Sequence, residues 1–384
     1  MTRLTADWIA NPATRAVCNA LGGEGAQVLF VGGCVRNTLL DVDVSDIDIA
    51  TDATPDQVVA LAKAAGIRTV PTGIDHGTVT LLQDGLPHEV TTFRRDVSTD
   101  GRRAIVAFST DVAEDASRRD FTMNAIYARP DGTVVDPLDG LPDLRARRVR
   151  FIGTAEDRIR EDYLRSLRYF RFHAWYGDQE SGFDPDALAA IAANLDGLDL
   201  LSRERIGSEM RKLLSAPDPA PSVAAMRTTG ALARFIPGAD DRSLAPLVHV
   251  ESVAGVLPNP MRRLAVLGGT DASDALRLSR AEAASLDRLR NAAVATTGAA
   301  ELGYRLGASE AGDALLVRSA LLEQPWSAAF EEQVSRGAAA QFPIKAKDLM
   351  PRFQGPELGA ELARLETLWI RSGFCLDRDA LLAL

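Results

Sequence analysis

The spacing of apolar and polar positions changes character near residue 150. Before that point, short apolar runs alternate with turn residues. Val28–Val31, 47–50, 77–82 and 89–93 read as strands, Asp84-Gly85 as a hairpin turn between the last two, and 34–40 and 55–65 as helices. Residues 4–25 read as an amphipathic leading helix that stops near Gly22-Gly23. After 151 the strand signals nearly vanish, and alanine- and leucine-rich stretches predict helices to the end. Proline-rich breaks at 216–221 and at Leu257-Pro258-Asn259-Pro260 place the joints. Pro356 opens a helix whose Leu358, Leu362, Leu365 and Trp369 recur at three- and four-residue steps, a core-facing stripe. The fold class predicted is α+β. A leading helix (1–25) and a mixed-sheet head (26–150) precede all-helical segments at 151–215, 216–335 and 336–384.

Candidate chemistry sits in the head. Gly32-Gly33 ends the first strand and lets the backbone turn sharply, so the following helix points free N–H groups at an anion, with Arg36 in its first turn. In Ser45-Asp46-Ile47-Asp48-Ile49-Ala50 polar and apolar residues alternate. Asp46 and Asp48 therefore share one strand face, placed to share divalent ions, while Ile47 and Ile49 enter the core. Taken singly, a glycine pair is usually a tight turn and Asp-x-Asp a solvated strand. Together they are what nucleoside triphosphate chemistry needs side by side. Glu89 alternates with Val90 and can face the aspartates as a third carboxylate, a solvated edge glutamate being the alternative. Residues 96–103 are polar and read as a mobile loop over this site.

The Gly-Gly-x-Val-Arg run with Asp-x-Asp resembles the catalytic core of DNA polymerase beta-type nucleotidyltransferases. Downstream segments narrow the likeness to tRNA nucleotidyltransferases (CCA-adding enzymes) and bacterial poly(A) polymerases. They are His76-Gly77-Thr78-Val79, Glu89-Val90-Thr91-Thr92-Phe93-Arg94, Arg118-Arg119-Asp120-Phe121-Thr122-Met123-Asn124-Ala125, Asp136-Pro137 with Gly140 and Asp143-Leu144, and Glu161-Asp162-Tyr163-Leu164-Arg165. Arg205-Ile206 with Glu209 and Lys212-Leu213-Leu214 is a weaker match. The resemblance covers 26 to about 215 and implies a nucleotidyltransferase head followed by a neck with a nucleotide-selecting helix, a body and a tail, the last two binding RNA. It implies Asp46 and Asp48 as Mg2+ ligands, and Gly33 and Arg36 as nucleotide-phosphate contacts. Arg119 and Asp120 would lie around the sugar or phosphate. One departure is visible: the family usually has an acid after the motif arginine, and here Asn37 supplies an amide that hydrogen-bonds without charge.

The second site is read on a helix predicted at 157–175, where Ile159, Tyr163, Leu167, Phe170 and Ala174 form an inward stripe. Asp162, Arg165 and Arg168 follow at three-residue steps on another face. An intrahelical Asp162–Arg165 ion pair is the plain reading, worth about 0.2–0.5 kcal/mol. The functional reading rests on hydrogen-bond polarity. Cytosine and adenine each pair an amino donor with a bare ring nitrogen, whereas uracil and guanine pair a carbonyl with a ring N–H. An accepting Asp162 and a donating Arg165 match the first two and oppose the others. The resemblance implies the same role, with Arg168 and Arg171 as further nucleotide contacts.

Composition changes this picture little. The chain has 384 residues, 46% of them apolar and 25% charged, an ordinary globular balance. Three scattered cysteines without C-x-x-C spacing suggest neither a disulfide framework nor zinc and fit a reducing cytoplasm. No signal peptide or membrane span is apparent. A net charge of −10 excludes a protein that coats nucleic acid nonspecifically, so RNA contact must be local. Residues 144–171, with nine arginines against four acids, offer such a patch, and a salt-bridged helix face is the alternative. With no His-Asp doublet, an attached metal phosphohydrolase is not expected, and His76, His88, His173 and His249 read as structural, although His76 lies in a family-like segment. The expected function is template-independent CCA addition to tRNA from CTP and ATP. The alternatives are poly(A) polymerase, a partial CC- or A-adding enzyme, or a noncatalytic RNA-binding protein.

Overall fold

The computed structural model describes residues 2–73, 77–99, 104–350 and 352–384. In it the run Val28–Val31 forms β1, buried at all four positions because both its faces are covered. The strands that follow are β2 (Ile47–Thr51), β3 (Arg68–Gly73), β4 (Thr78–Gln83), β5 (Leu86–Thr92), β6 (Arg94–Thr99), β7 (Ala104–Phe108), β8 (Tyr127–Ala128) and β9 (Val134–Val135). Seven of them make a mixed sheet in the order β3-β4-β5-β2-β1-β8-β9, while β6 and β7 form a separate ribbon. Only β2 and β5 run parallel in that sheet, joined through α4 (Pro55–Ala64) and the β3-β4 hairpin. On one face Leu29, Val31, Ala50, Phe93, Ala116 and Tyr127 form a buried cluster. On the other, Trp8 packs edge-on to Phe30 at 4.7 Å.

Strand ends depart from the predicted ones by up to three residues, and two larger corrections stand out. The leading helix is two helices, α1 (Asp7–Ala10) and α2 (Pro12–Gly22). Pro12 disfavours helical backbone at Asn11, whose side chain instead caps α2 by accepting from the Ala13 N–H. The residues read as a loop from 96 are strand as far as Thr99, paired along β7. Residues 100–103 and His76 lie outside the described residues.

The remaining helices of this unit are α3 (Gly33–Leu39), α5 (Val112–Ser117), α6 (Leu141–Arg145), α7 (Ala155–Glu161), α8 (Leu164–Tyr176), α9 (Pro185–Ala193), α10 (Arg203–Leu214), α11 (Ala220–Thr229) and α12 (Ala231–Phe235). The chain divides into two compact units, Met1–Leu213 with Pro221–Phe235, and Leu214–Ala220 with Ile236–Leu384. The second contains α13 (Leu244–Ala254), α14 (Pro260–Leu267), α15 (Ala272–Ala275), α16 (Arg280–Val294), α17 (Ala299–Leu321), α18 (Ala329–Ala339), α19 (Ala346–Leu349), α20 (Gly355–Arg371) and α21 (Arg378–Leu382). Leu365 and Trp369 are buried in its terminal cluster with Leu358 and Leu362 packed against them, as the stripe predicts. A buried ionic network crosses it: Arg262 and Arg263 of α14 both donate to Glu251 of α13, and Arg263 also donates to the carbonyls of Leu214 and Pro217.

Two buried histidines tie elements of the first unit. His88 Nε2 lies 3.1 Å from Thr14 Oγ1 of α2, and the His173 ring stacks on Phe183 at 3.7 Å. Burial holds both imidazoles below the ordinary 6.5. Below that pH the unfolded chain takes up protons that the folded rings refuse, so stability is full above about 6.5 and falls as pH drops. The expected slope is at most about 1.4 kcal/mol per pH unit for each ring. Urea midpoints between pH 7.5 and 5.5 should show a flatter fall in His88→Gln than in wild type, and identical slopes would remove His88 from the linkage.

Candidate active site

Gly32 stands at the centre of the head site. Its φ of 71° lies in the left-handed region, which glycine adopts without strain. A Cβ there would lie 3.7 Å from Arg119 Nη1, 3.7 Å from Asn124 Oδ1 and 3.8 Å from Asp48 Oδ2, so β2 and the segment after α5 both present polar groups to this turn at the end of β1. Asp48 shares the strand face of Ala50, half-buried, and its register partner on β5 is Glu89. Burial, then Glu89 and Asp46, push its carboxyl up to about 6, with Arg119 and Arg36 opposing. Asp46 precedes β2 and is exposed, accepting from Ser45 Oγ at 2.8 Å. Glu89 is exposed on the same side. The alternation of 45–50 thus brings Asp48 and Glu89 together, with Asp46 close enough to raise Asp48.

Arg36 is more deeply placed than its sequence position suggests. It is buried, with Nη1 donating to Asn124 Oδ1 (2.8 Å), Nη2 to Tyr176 OH (2.8 Å), and Nε and Nη2 to Asn37 Oδ1. Its guanidinium lies 4.0 Å over the Tyr176 ring. Asn37 accordingly fills an acceptor role that an acid would also fill, and its Nδ2 donates to the Asp43 carbonyl. Arg119 is held by Tyr127 and Asp115, whose carboxylate Arg119 and Arg118 keep low despite its burial, and this fixes Arg119 Nη1 toward Gly32. Asp120 accepts from Asn124 and from Arg168 Nε at 2.7 Å and sits well below the carboxylate range; burial opposes this, and Arg168 prevails. Sequence reasoning gave no role to Asn124, Tyr176, Asp115 or Tyr127. Only Asn124 carried a signal, as a member of the Arg118–Ala125 match.

The predicted helix at 157–175 is broken. Asp162 is extended (φ −153°) between α7 and α8, and its Oδ1 accepts from the Leu164 N–H, since a short acid competes with helix geometry for backbone donors. Ile159, Leu167, Phe170 and Ala174 are buried as the stripe requires; Tyr163 is half-buried at the break. The Asp162–Arg165 pair does not form. Asp162 Oδ2 takes Arg205 at 2.6 Å, while Arg165 pairs with Glu161 and donates to the carbonyls of Arg158 and Arg118. Arg171 pairs with buried Glu209 at 2.5 Å. Arg36, Arg168 and Arg171 surround Phe172 at 5.1, 5.4 and 4.7 Å, a cationic cluster offset by Asp120 and Glu209. Two other matched residues hold the local chain: Asp136 accepts from the Gly140 and Leu141 N–H groups, and buried Asp143 from Thr122 and Arg150.

Among the described residues no three His, Cys, Asp or Glu side chains form a metal cage by themselves. The carboxylates of Asp46 and Asp48 nevertheless fit a hard divalent cation. They offer oxygen only, the repulsion that raises Asp48 would be relieved by positive charge, and Mg2+ is commonly held by one or two carboxylates plus substrate phosphates.

A glycine turn beside strand-borne carboxylates, ringed by guanidinium groups on a mixed sheet, is the build of a nucleotidyltransferase. Residues 28–150 match the family described as "Poly A polymerase head domain", and 182–242 match "Probable RNA and SrmB- binding site of polymerase A". The chain is 34% identical over 377 residues to the mitochondrial CCA tRNA nucleotidyltransferase 1 of Mus musculus, covering 94% of this chain and 86% of that protein. It is 41% identical over 218 residues to the CCA-adding enzyme of Levilactobacillus brevis, covering 56% of this chain and 53% of that one. The crystal structure of the Bacillus stearothermophilus CCA-adding enzyme in complex with CTP matches with a TM-score of 0.75 and 28% identity over 94% of both chains. The chain belongs to the CCA tRNA nucleotidyltransferase family. Among the described residues no helix is long and apolar enough to cross a membrane.

Proposed function

We propose that this protein adds C, C and A to tRNA 3′ ends from CTP and ATP without a nucleic-acid template, releasing pyrophosphate. The observation that carries the reading is the convergence of Asp48, Arg119 and Asn124 on Gly32. Asp46 and Asp48 would hold Mg2+, with Glu89 as a third carboxylate beside them. When bound, Mg2+ supplies activation of the RNA 3′ hydroxyl and charge neutralisation on the leaving pyrophosphate. Gly32 and Gly33 admit the triphosphate close to the backbone. Arg36 and Arg119 offset its charge, preorganised by Tyr176, Asn37, Asp115 and Tyr127. Asp120 fixes Arg168, and with Arg171 these residues line the approach to the sugar and phosphates. Asp162 accepts from the base amino group and Arg165 donates to the ring nitrogen. The cytoplasm is the compartment this reading implies.

The test supplies one nucleotide at a time to tRNA ending before CCA, to tRNA ending in CC, and to unrelated RNA. CMP should enter only the first and AMP only the second. Adenylate runs on unrelated RNA would instead support a poly(A) polymerase, addition of only C or only A a partial enzyme, and no incorporation a binding protein.

RNA attachment is proposed at the exposed arginines of 145–160. Of the nine arginines, Arg158, Arg165, Arg168 and Arg171 are bound inward, which leaves Arg145, Arg147, Arg148, Arg150 and Arg160 at the surface. The tRNA affinity should fall as salt rises, and Arg148→Gln should reduce the slope of log affinity against log salt by about 1. A salt-independent affinity would move RNA recognition elsewhere.

A further inference from the structure

Gly197 is a glycine for a reason unrelated to its own backbone. It is buried in the 3-10 turn Leu195–Leu200, and its φ is outside the left-handed region. A Cβ at this position would fall within the ring of Tyr163, against Cε1, Cδ1 and Cζ. The ring therefore lies on the Gly197 Cα. Tyr163 is the residue after Asp162, at the break where α7 ends and α8 begins. The turn that bears Gly197 is itself clamped: Arg234 of α12 donates to Asp196 at 2.8 Å and to Asp199 at 2.7 Å, one acid on each side of the glycine. All four residues of this clamp fall in the segment 182–242 that matches the RNA-binding family.

We propose that the Tyr163–Gly197 contact is a positioning latch for base choice, setting the direction in which Asp162 presents its carboxylate to the incoming nucleotide. The inference rests on the reading that Asp162 selects the base. Asp162 is extended, so no helical hydrogen-bond ladder fixes its orientation, and the residues on either side of it set its backbone. Glu161 on the near side is the last residue of α7, where helices fray. Tyr163 on the far side is the N-cap of α8, its carbonyl accepting from the Ser166 N–H, and the seat of its ring on Gly197 sets the angle at which the chain enters that helix. Oδ1 is committed to the Leu164 N–H and Oδ2 to Arg205, so a rotation of the peptide at Tyr163 would carry the carboxylate away from its partners and from the base together.

The experiment compares four variants of the full chain on one tRNA with all four nucleoside triphosphates, alongside melting temperatures. Gly197→Ala and Tyr163→Leu should lower the preference for CTP and ATP over UTP and GTP by roughly 10- to 100-fold, the cost expected of a misplacement near 1 Å. Tyr163→Phe, which keeps the ring, should retain the wild-type preference. Asp162→Ala reports on the underlying reading. If Asp162→Ala loses selectivity while Tyr163→Leu changes only melting temperature, the latch is overturned and the selecting role of Asp162 survives. If Asp162→Ala also keeps selectivity, the reading falls and takes the latch with it. Should Gly197→Ala fail to fold, the contrast between Tyr163→Leu and Tyr163→Phe decides the question.

Discussion

Substituting Asp48 by alanine, or Asp46 by alanine, is expected to abolish nucleotide incorporation while the protein stays folded. Removing a single preorganised charge-stabilising group commonly costs about 10²–10³ in rate, and a metal ligand should cost at least the upper figure. The fold is expected to survive because neither residue holds the core together. Asp46 is exposed with Ser45 as its partner, and burial, then Glu89 and Asp46, raise the Asp48 carboxyl to about 6. Removing a carboxylate whose charged form is disfavoured chiefly by burial means the metal-free Asp48→Ala variant should melt no lower than wild type. The measurement is incorporation of labelled CMP in Mg2+ beside a thermal melt. Turnover within a few-fold of wild type for either variant would remove the carboxylate pair from the chemistry, and lost turnover with a collapsed melt would show that the site had been scaffold.

The second large effect concerns base identity. Asp162→Ala should lose the preference for CTP and ATP together, because in the proposed function one carboxylate serves both bases and the proposed metal site at Asp46 and Asp48 is left untouched to support residual addition. A site that leaves buried polar groups unpaired against the wrong partner discriminates by roughly 10⁴–10⁵, so the loss should be easily read from relative incorporation of the four nucleotides. The observed pairing separates this outcome from a stability effect. Asp162 accepts from the Leu164 N–H ahead of α8 and holds Arg205, so its removal costs about 1 kcal/mol in lost hydrogen bonding in any case. A melt lowered by that amount with selectivity unchanged would mark Asp162 as a structural residue only.

The sequence carried β1, β2, β4, β5 and the stripe of α20 because each follows from a local period of two or 3.6 residues, whereas β3, β6 and β7 do not read as strands, β8 and β9 are too short at two residues each to show a period, and the Asp48–Glu89 pairing depends on the parallel register of β2 with β5. The break at Asp162 was hidden because Ile159, Leu167, Phe170 and Ala174 keep one helical stripe across it, and burial alone does not report whether the backbone between them is continuous. The partners of the site arginines were hidden for another reason. Arg36 meets Tyr176 140 residues away, Arg168 meets Asp120 across 48, Asp162 meets Arg205 across 43, and Arg171 meets Glu209 across 38. No spacing rule reaches that far. The same distances explain part of why an arginine-rich stretch is less basic than its composition implies: Arg168 and Arg171 are neutralised by Asp120 and Glu209 from other elements, while Arg158 and Arg165 share Glu161 within it.

The path of the chain limits how this protein can be divided. After Leu213 it enters the second unit for seven residues, Leu214–Ala220, returns to the first for Pro221–Phe235, and leaves again. The returning stretch contributes Val223, Met226, Leu232 and Phe235 to the interior, each nearly inaccessible to solvent. Arg263, rooted in the second unit, binds the connector at the carbonyls of Leu214 and Pro217. A fragment excised at residue 213 would therefore expose the apolar surface those side chains cover, and gene fusions, circular permutants or domain exchanges with relatives must carry both crossings as one piece.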